Sequence, residues 1–235
     1  MMHNKRESKL DFDYTIVRSK RKSVAIHVIK QGVEVRIPHK VTNAFAIQFL
    51  ISKKDWIKTK ITEQQKINKA LPKVVIGESI LWQGKPHLIS YQSARIPQLL
   101  HQDNAFTIFS PTVPSEQKLV SLFETFFKQQ AKTYLTELTI ETAKKMALAH
   151  KLSDIRFRRT KTKWGHCTSK GNIQFNWLIM GAPIEVINYL VIHEVAHLKH
   201  PNHQIDFWEM VQSYCPEYKT HDRWLKHNGF RLSWY

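Results

Sequence analysis

The 235 residues are 42% hydrophobic, enough to bury a core as one large domain or two small ones. Only two cysteines occur, Cys167 and Cys215, and neither sits in a CxxC pair, so a disulfide framework is excluded as the source of order and a reducing compartment is expected. Basic side chains number 36 against 19 acidic ones, a formal charge of +17 that attracts polyanions without naming one; solvated lysine faces are an equally open reading.

The first residues, MMHNKRESKLDFDY, hold charges but no apolar segment. Nowhere does the chain approach the roughly eighteen uninterrupted apolar residues of a membrane span, so a cytoplasmic protein is expected. Residues 14–38 alternate apolar and polar positions, with Val24, Ile26 and Val28 on one run and Val33, Val35 and Ile37 on another. That pattern predicts a hairpin with its turn near Gln31 and Gly32. From Asn43 to about Lys69 the spacing becomes helical, with Phe45, Phe49, Ile57 and Ile61 on one face, until Pro72 ends it. Short strands fit Val74 to Leu81 and His87 to Tyr91.

Residues 97–114 carry Pro97, Pro111 and Pro114 and little periodicity beyond AFTIF, and are read as a connector. It separates an amino-terminal mixed region, 1–96, from a second domain, 115–235. Ser115 is an incomplete helix cap, and the helix after it runs toward His150 with Leu119, Leu122, Phe126 and Leu135 as its core face. From Ile155 the pattern returns to strand. IRFRRTKTKW and NIQFNWLIM flank GHCTSKG, whose Ser169, Lys170 and Gly171 suit a turn, so the two strands are predicted to pair as a hairpin. The fold class is α+β.

The next segment, VIHEVAHLKHPNHQIDFW, holds five histidine or glutamate side chains within eleven positions. Pro183 suits the start of a helix whose apolar face is Ile184, Ile187, Leu190, Val191 and Leu198. On it His193 and His197 are four residues apart and project from one side, as two nitrogen ligands of a tetrahedral ion must. Glu194, rotated by about 100°, is poorly placed to ligate but well placed to take a proton from water activated at the ion, the logic of an HExxH motif. For the third ligand, His200 stands about 10 Å along the axis from His193. His203 follows Pro201 and Asn202, which bend the chain and return its ring, and is the preferred candidate. A chance HExxH in a chain with 13 histidines is the competing explanation.

WGHCTSKGNIQFNW followed by YLVIHEVAHLKHPNHQIDFWEMVQSYCPEY, with the earlier VRSKRKSVAIHV and VEVRIP, resembles the YgjP-like zinc metallopeptidase family, related to the WLM and SprT-type proteases. The resemblance implies a zincin-like domain with the HExxH helix packed on a small sheet, zinc bound by His193, His197 and His203, and Glu194 as catalytic acid and base. One departure stands between Gly165 and Cys167, where His166 replaces an expected small serine; it reads as an added ligand, a proton donor or an exposed turn residue. Cys167 and Cys215 read as small buried groups.

Arg156, Arg158, Arg159, Lys161 and Lys163 place five cations in eight positions on the first strand of the predicted hairpin. The strand is either an edge guarded by charge or one that recognises an acidic peptide, a nucleotide phosphate or DNA. Phe207, Val211 and Tyr214 share a packing face, while Asn176 and Asp206 are candidates to orient a ligand imidazole. The leading reading is a zinc-dependent hydrolase of peptidase type acting on a peptide or protein, with other divalent transition metals open. Two others use the same segment: hydrolysis of a nucleotide phosphoanhydride, against which glycine is scarce at seven residues, and a DNA-associated protease or nucleic-acid-binding module with structural zinc.

Overall fold

The computed structural model describes residues 10–29 and 32–234, without the side chains of residues 67, 69 and 70. It divides into two compact units, residues 1–70 and 71–235. Among the described residues it is a mixed α/β protein with six α-helices and three small sheets, and no helix is long and apolar enough to cross a membrane.

In the first unit, strands β1 (Tyr14–Ser19), β2 (Ala25–Ile29) and β3 (Gly32–Pro38) form a sheet with β3 in the centre. β2 and β3 are the antiparallel pair that the alternation predicts; of the expected turn, Gln31 lies outside the described residues and Gly32 has φ +129°. β1 adds a parallel partner to β3 that the pattern does not distinguish. Val33, Val35 and Ile37 point inward from the central strand, as a period of two requires. The expected single helix is two, α1 (Asn43–Ser52) and α2 (Lys54–Ala70), broken at Lys53, whose φ is −111°. Ala46, Leu50 and Ile57 are fully buried, so the inward stripe runs one position on from Phe45, which is 54% exposed.

The second unit opens with a four-stranded sheet of β4 (Ser79–Trp82), β5 (Lys85–Ser93), β6 (Gln98–Gln102) and β7 (Ala105–Ser110), in the order β4-β5-β7-β6. The predicted connector, 97–114, is therefore corrected: most of it is a hairpin in this sheet. Asp103 and Asn104 both have positive φ (50° and 59°), the conformation of a two-residue hairpin turn, and Phe106 and Ile108 are in the core. The three prolines bracket the hairpin instead of interrupting it. The expected boundary at residue 96 falls between β5 and β6, two strands of one sheet that both pair with β7, and the chain divides at residue 70 instead.

Ser115 caps α3 (Glu116–Lys145), its Oγ accepting from the Lys118 amide at 3.4 Å. The helix lays Leu119, Phe123, Phe127, Ala131 and Leu135 into the core, where Phe123 meets Phe106 edge-on and Phe127 meets Trp82. Leu122 and Phe126, expected on this face, are partly buried at its margin. The third sheet is β8 (Asp154–Phe157), β9 (Gly165–Cys167) and β10 (Asn172–Phe175), with β10 central. Here the predicted hairpin is corrected. β10 pairs antiparallel with β9, across the turn at Ser169–Gly171, and parallel with β8. Residues 158–164 are a loop between two edges of the sheet. Cys215 and Cys167 are free thiols, the first buried and the second half-buried. Three helices follow, α4 (Ile184–Ala196), α5 (Ile205–Tyr214) and α6 (Tyr218–Asn228); α4 packs against β9, α3, α5 and α6.

Candidate metal centre

α4 begins where the sequence lets it. Pro183 occupies the cap position and its carbonyl accepts from the amides of Val186 and Ile187, so the missing proline N–H leaves no bond unmade. Val186, Ile187, Leu190, Val191 and Val195 bury the helix on one side. His193 and Glu194 lie in its last turn, and His197 keeps helical angles (φ −64°, ψ −17°) at the cap. The one-turn spacing is thus preserved, with the rings of His193 and His197 centred 5.0 Å apart.

After α4 ends at Ala196 the chain runs through a turn to His200, then Pro201 and Asn202, and enters α5 at Ile205. His203, on this link, returns to α4. Its Nε2 is 3.1 Å from Nε2 of His193, and one ligand-capable nitrogen each of His193, His197 and His203 lie within 4.8 Å of one another. The ring of His200 is outside this group, but its carbonyl oxygen accepts a hydrogen bond from Nδ1 of His197 at 2.9 Å. A carbonyl can only accept, so His197 is protonated at Nδ1 and keeps the Nε2 lone pair free. Phe207 stacks on His197 at 4.5 Å and Trp208 on His203 at 5.5 Å, so the first turn of α5 backs two of the three rings.

The tautomer of His193 follows from a neighbour that sequence reading passes over. The Tyr189 hydroxyl donates to Oδ1 of Asp222 at 3.3 Å and lies 3.4 Å from Nδ1 of His193. With the single phenol proton spent on the carboxylate, His193 donates from Nδ1 and its Nε2 also presents a lone pair. Burial pushes the His193 pKa down to about 3, helped by His197 and His203 and opposed by Asp222, so the ring is neutral near pH 7. Burial lowers His197 as well.

Glu194 is 4% exposed, and its Oε2 has no hydrogen-bond partner. Burial raises its pKa to about 8, and the charge of Lys163 pulls the other way. Gly165 of β9 makes room for it: a Cβ there would fall inside the Glu194 carboxyl. Cys167, two residues on, is half-buried and has its pKa raised to about 11 by burial and then by Glu194, so it is a thiol near pH 7.

Other candidates do not join the cluster, although the charge of His166 still reaches His197. His166 is exposed on β9, where it pairs with Gln174. Asn176 is buried, but its side chain accepts from the Leu178 amide and donates to the Thr160 carbonyl, so it fixes a turn and a loop. Asp206 is exposed in the first turn of α5 and bonds no histidine among the described residues. The orienting contacts come from Tyr189 and the His200 carbonyl instead. Spacing could have flagged Tyr189, one turn before His193 on α4; Asp222 arrives from another helix and left no signal. Trp177 packs with Phe127 and Trp234, and Tyr214 is 42% exposed and bonds the Lys145 carbonyl.

No curated protein matches the chain. Among solved structures, the crystal structure of the metallopeptidase zymogen of Pyrococcus abyssi abylysin is similar at 25% identity and a TM-score of 0.36, over 40% of this chain and 93% of that one. The sequence matches the family description YgjP-like, metallopeptidase domain, across residues 22–228. With most of its length inside that match, the chain belongs to the YgjP-like metallopeptidase family and is a metal-dependent hydrolase.

Proposed function

We propose that the chain is a zinc-dependent peptidase in which His193, His197 and His203 hold the ion and Glu194 is the general base. The observation that carries this reading is the pair of opposed nitrogens, Nε2 of His193 and Nε2 of His203, 3.1 Å apart. Ligand nitrogens on one tetrahedral zinc are separated by about 3.3 Å, so the two Nε2 atoms already stand close to the spacing that one ion requires. Three imidazoles and no thiolate make a donor set of the catalytic kind, with a coordination position left over, whereas structural sites are closed by four ligands and rich in cysteine. Imidazole also accepts iron, manganese or nickel; a donor set of three histidines beside a carboxylate, as in catalytic zinc sites, favours zinc.

When bound, the ion lowers the pKa of water toward neutrality and polarises the substrate carbonyl. The protein's own groups do the rest. Glu194, buried beside the cluster with one carboxyl oxygen free of hydrogen bonds, takes the proton of the attacking water and returns it to the leaving amine. β9 is an edge of its sheet and packs against α4, so an extended peptide can pair with Gly165–Cys167 and bring its carbonyl to the histidines.

The test is to incubate metal-loaded protein with a casein-type substrate and with a panel of nucleoside triphosphates, scoring peptide fragments and released phosphate or pyrophosphate. Peptide fragments are expected. Phosphate release without fragments would redirect the same centre to phosphoanhydrides, and failure of the folded protein to take up any divalent metal would remove the reading altogether.

A further inference from the structure

The loop between β8 and β9 faces α6 across a cavity of about 460 Å³. The loop is a fixed one. The Thr160 hydroxyl donates to the Lys163 carbonyl, Asn176 Nδ2 donates to the Thr160 carbonyl at 3.0 Å, and the Asn176 amide donates to the Trp164 carbonyl at 2.7 Å. Its lysines are therefore displayed from a set backbone. Lys161 and Lys163 line the cavity from the loop and Lys226 from α6, beside Trp164 and Phe230. Lys226 is engaged by Asp222 at 2.6 Å. Among the described residues neither Lys161 nor Lys163 forms an ion pair; the charge of Lys163 reaches the Glu194 carboxyl without a direct contact.

The cavity adjoins the histidine cluster along two routes. Asp222, in its wall, reaches His193 through the single oxygen of Tyr189. Trp164, also in its wall, immediately precedes Gly165, where an added Cβ would collide with the Glu194 carboxyl. A peptide paired along β9 would thus carry one of its residues into the cavity when its scissile carbonyl is at the rings.

We propose that this cavity is a substrate subsite for a carboxylate, held by Lys161 and Lys163 beside the scissile peptide bond. The carboxylate belongs to an aspartate or glutamate side chain or to the substrate's own carboxyl terminus; both offer the direct ion-pair acceptor that the two ammonium groups lack. The subsite rests on the peptidase reading above and specifies which peptides that centre takes.

Its test uses quenched fluorescent peptides in which glutamate or glutamine is placed at each position flanking the cleaved bond, each with a free or an amidated carboxyl terminus. The parent is compared with the double variant Lys161→Gln/Lys163→Gln, and with Lys170→Gln, an exposed lysine outside the cavity. Two exposed ion pairs predict a kcat/KM preference of about fivefold for glutamate over glutamine at low salt, carried by KM and shrinking as salt is added. The ratio should fall toward one in the double variant and persist in Lys170→Gln. A gain with the free over the amidated terminus, in place of the side-chain preference, assigns the carboxylate to the chain end. A parent without preference, or a preference that the double variant keeps, overturns the subsite. If no peptide is cleaved the peptidase reading itself has failed, and the subsite is then decided by fluorescence anisotropy of labelled glutamate and glutamine peptides on the zinc-loaded protein. Equal affinities there would overturn it.

Discussion

The hydroxyl of Tyr189 lies 3.4 Å from Nδ1 of His193, one helical turn ahead of it on α4. It donates a hydrogen bond to Asp222, which Lys226 in turn holds at 2.6 Å. Groups of this kind fix the ring orientation and tautomer of a histidine ligand, and their loss weakens metal binding by about 10-fold to 100-fold. Tyr189→Phe is therefore expected to lower zinc affinity by about tenfold while leaving the fold intact, and Asp222→Asn to have a smaller effect in the same direction. Competition against a chromophoric chelator measures both. Unchanged affinity in Tyr189→Phe would mean that ring stacking alone orients His193.

Glu194 and His197 sit three residues apart but should fail differently. Glu194→Gln keeps every ring nitrogen and is expected to retain metal while losing about 100-fold to 10,000-fold in turnover, the range of a general base. His197→Ala removes a nitrogen from the cluster and is expected to lose the metal itself. Metal content by elemental analysis, set beside peptide cleavage, separates the two. Full activity in Glu194→Gln would strike the carboxylate from the mechanism.

Gly165 offers a third variant with a specific signature. The methyl of Gly165→Ala would occupy the Glu194 carboxyl, so either the carboxylate moves or β9 does. Because the three histidines lie on α4 and the link to α5, their metal should stay while turnover falls by at least about tenfold, the effect of displacing a reacting group by an ångström. A variant as active as the parent would show that the carboxylate can be displaced without consequence.

How far the sequence speaks depends on whether the signal is local. The α4 helix is local: Pro183, the apolar period and the one-turn spacing of His193 and His197 all lie within a few turns, and the structure follows them. So is the antiparallel pairing of β2 with β3. The partners of β10 are not local. Ile155 and Phe157 pair with it in parallel across a loop, a geometry alternation alone cannot tell from a hairpin, and so the run of cations was placed on a strand when most of it is loop. The connector differs for another reason: Pro97, Pro111 and Pro114 mark the ends of a hairpin, and the Asp103–Asn104 turn with the alternation of Phe106 and Ile108 is the signal of its strands. Around the histidines, Asp222 and Gly165 come from elements far along the chain, and only the fold brings them to the rings.

His101 gives the second unit a pH dependence apart from the histidine cluster. It stacks on Phe106 at 4.5 Å, its Nε2 is buried without a partner, and burial lowers its pKa from the ordinary 6.5, with the charge of His87 as the second cause. Lys85, Asp103 and His87 are the titratable groups that share its cavity. A histidine whose pKa is lower when folded is protonated first in the unfolded chain, so acid favours unfolding. The stabilisation is complete above about pH 6.5 and is lost as pH falls below it, toward the lowered folded value. His101→Phe keeps the stack and removes the titration. Melting temperatures taken in steps from pH 7.5 to 5 should fall less steeply in this variant than in the parent; parallel curves would assign the acid sensitivity to other groups.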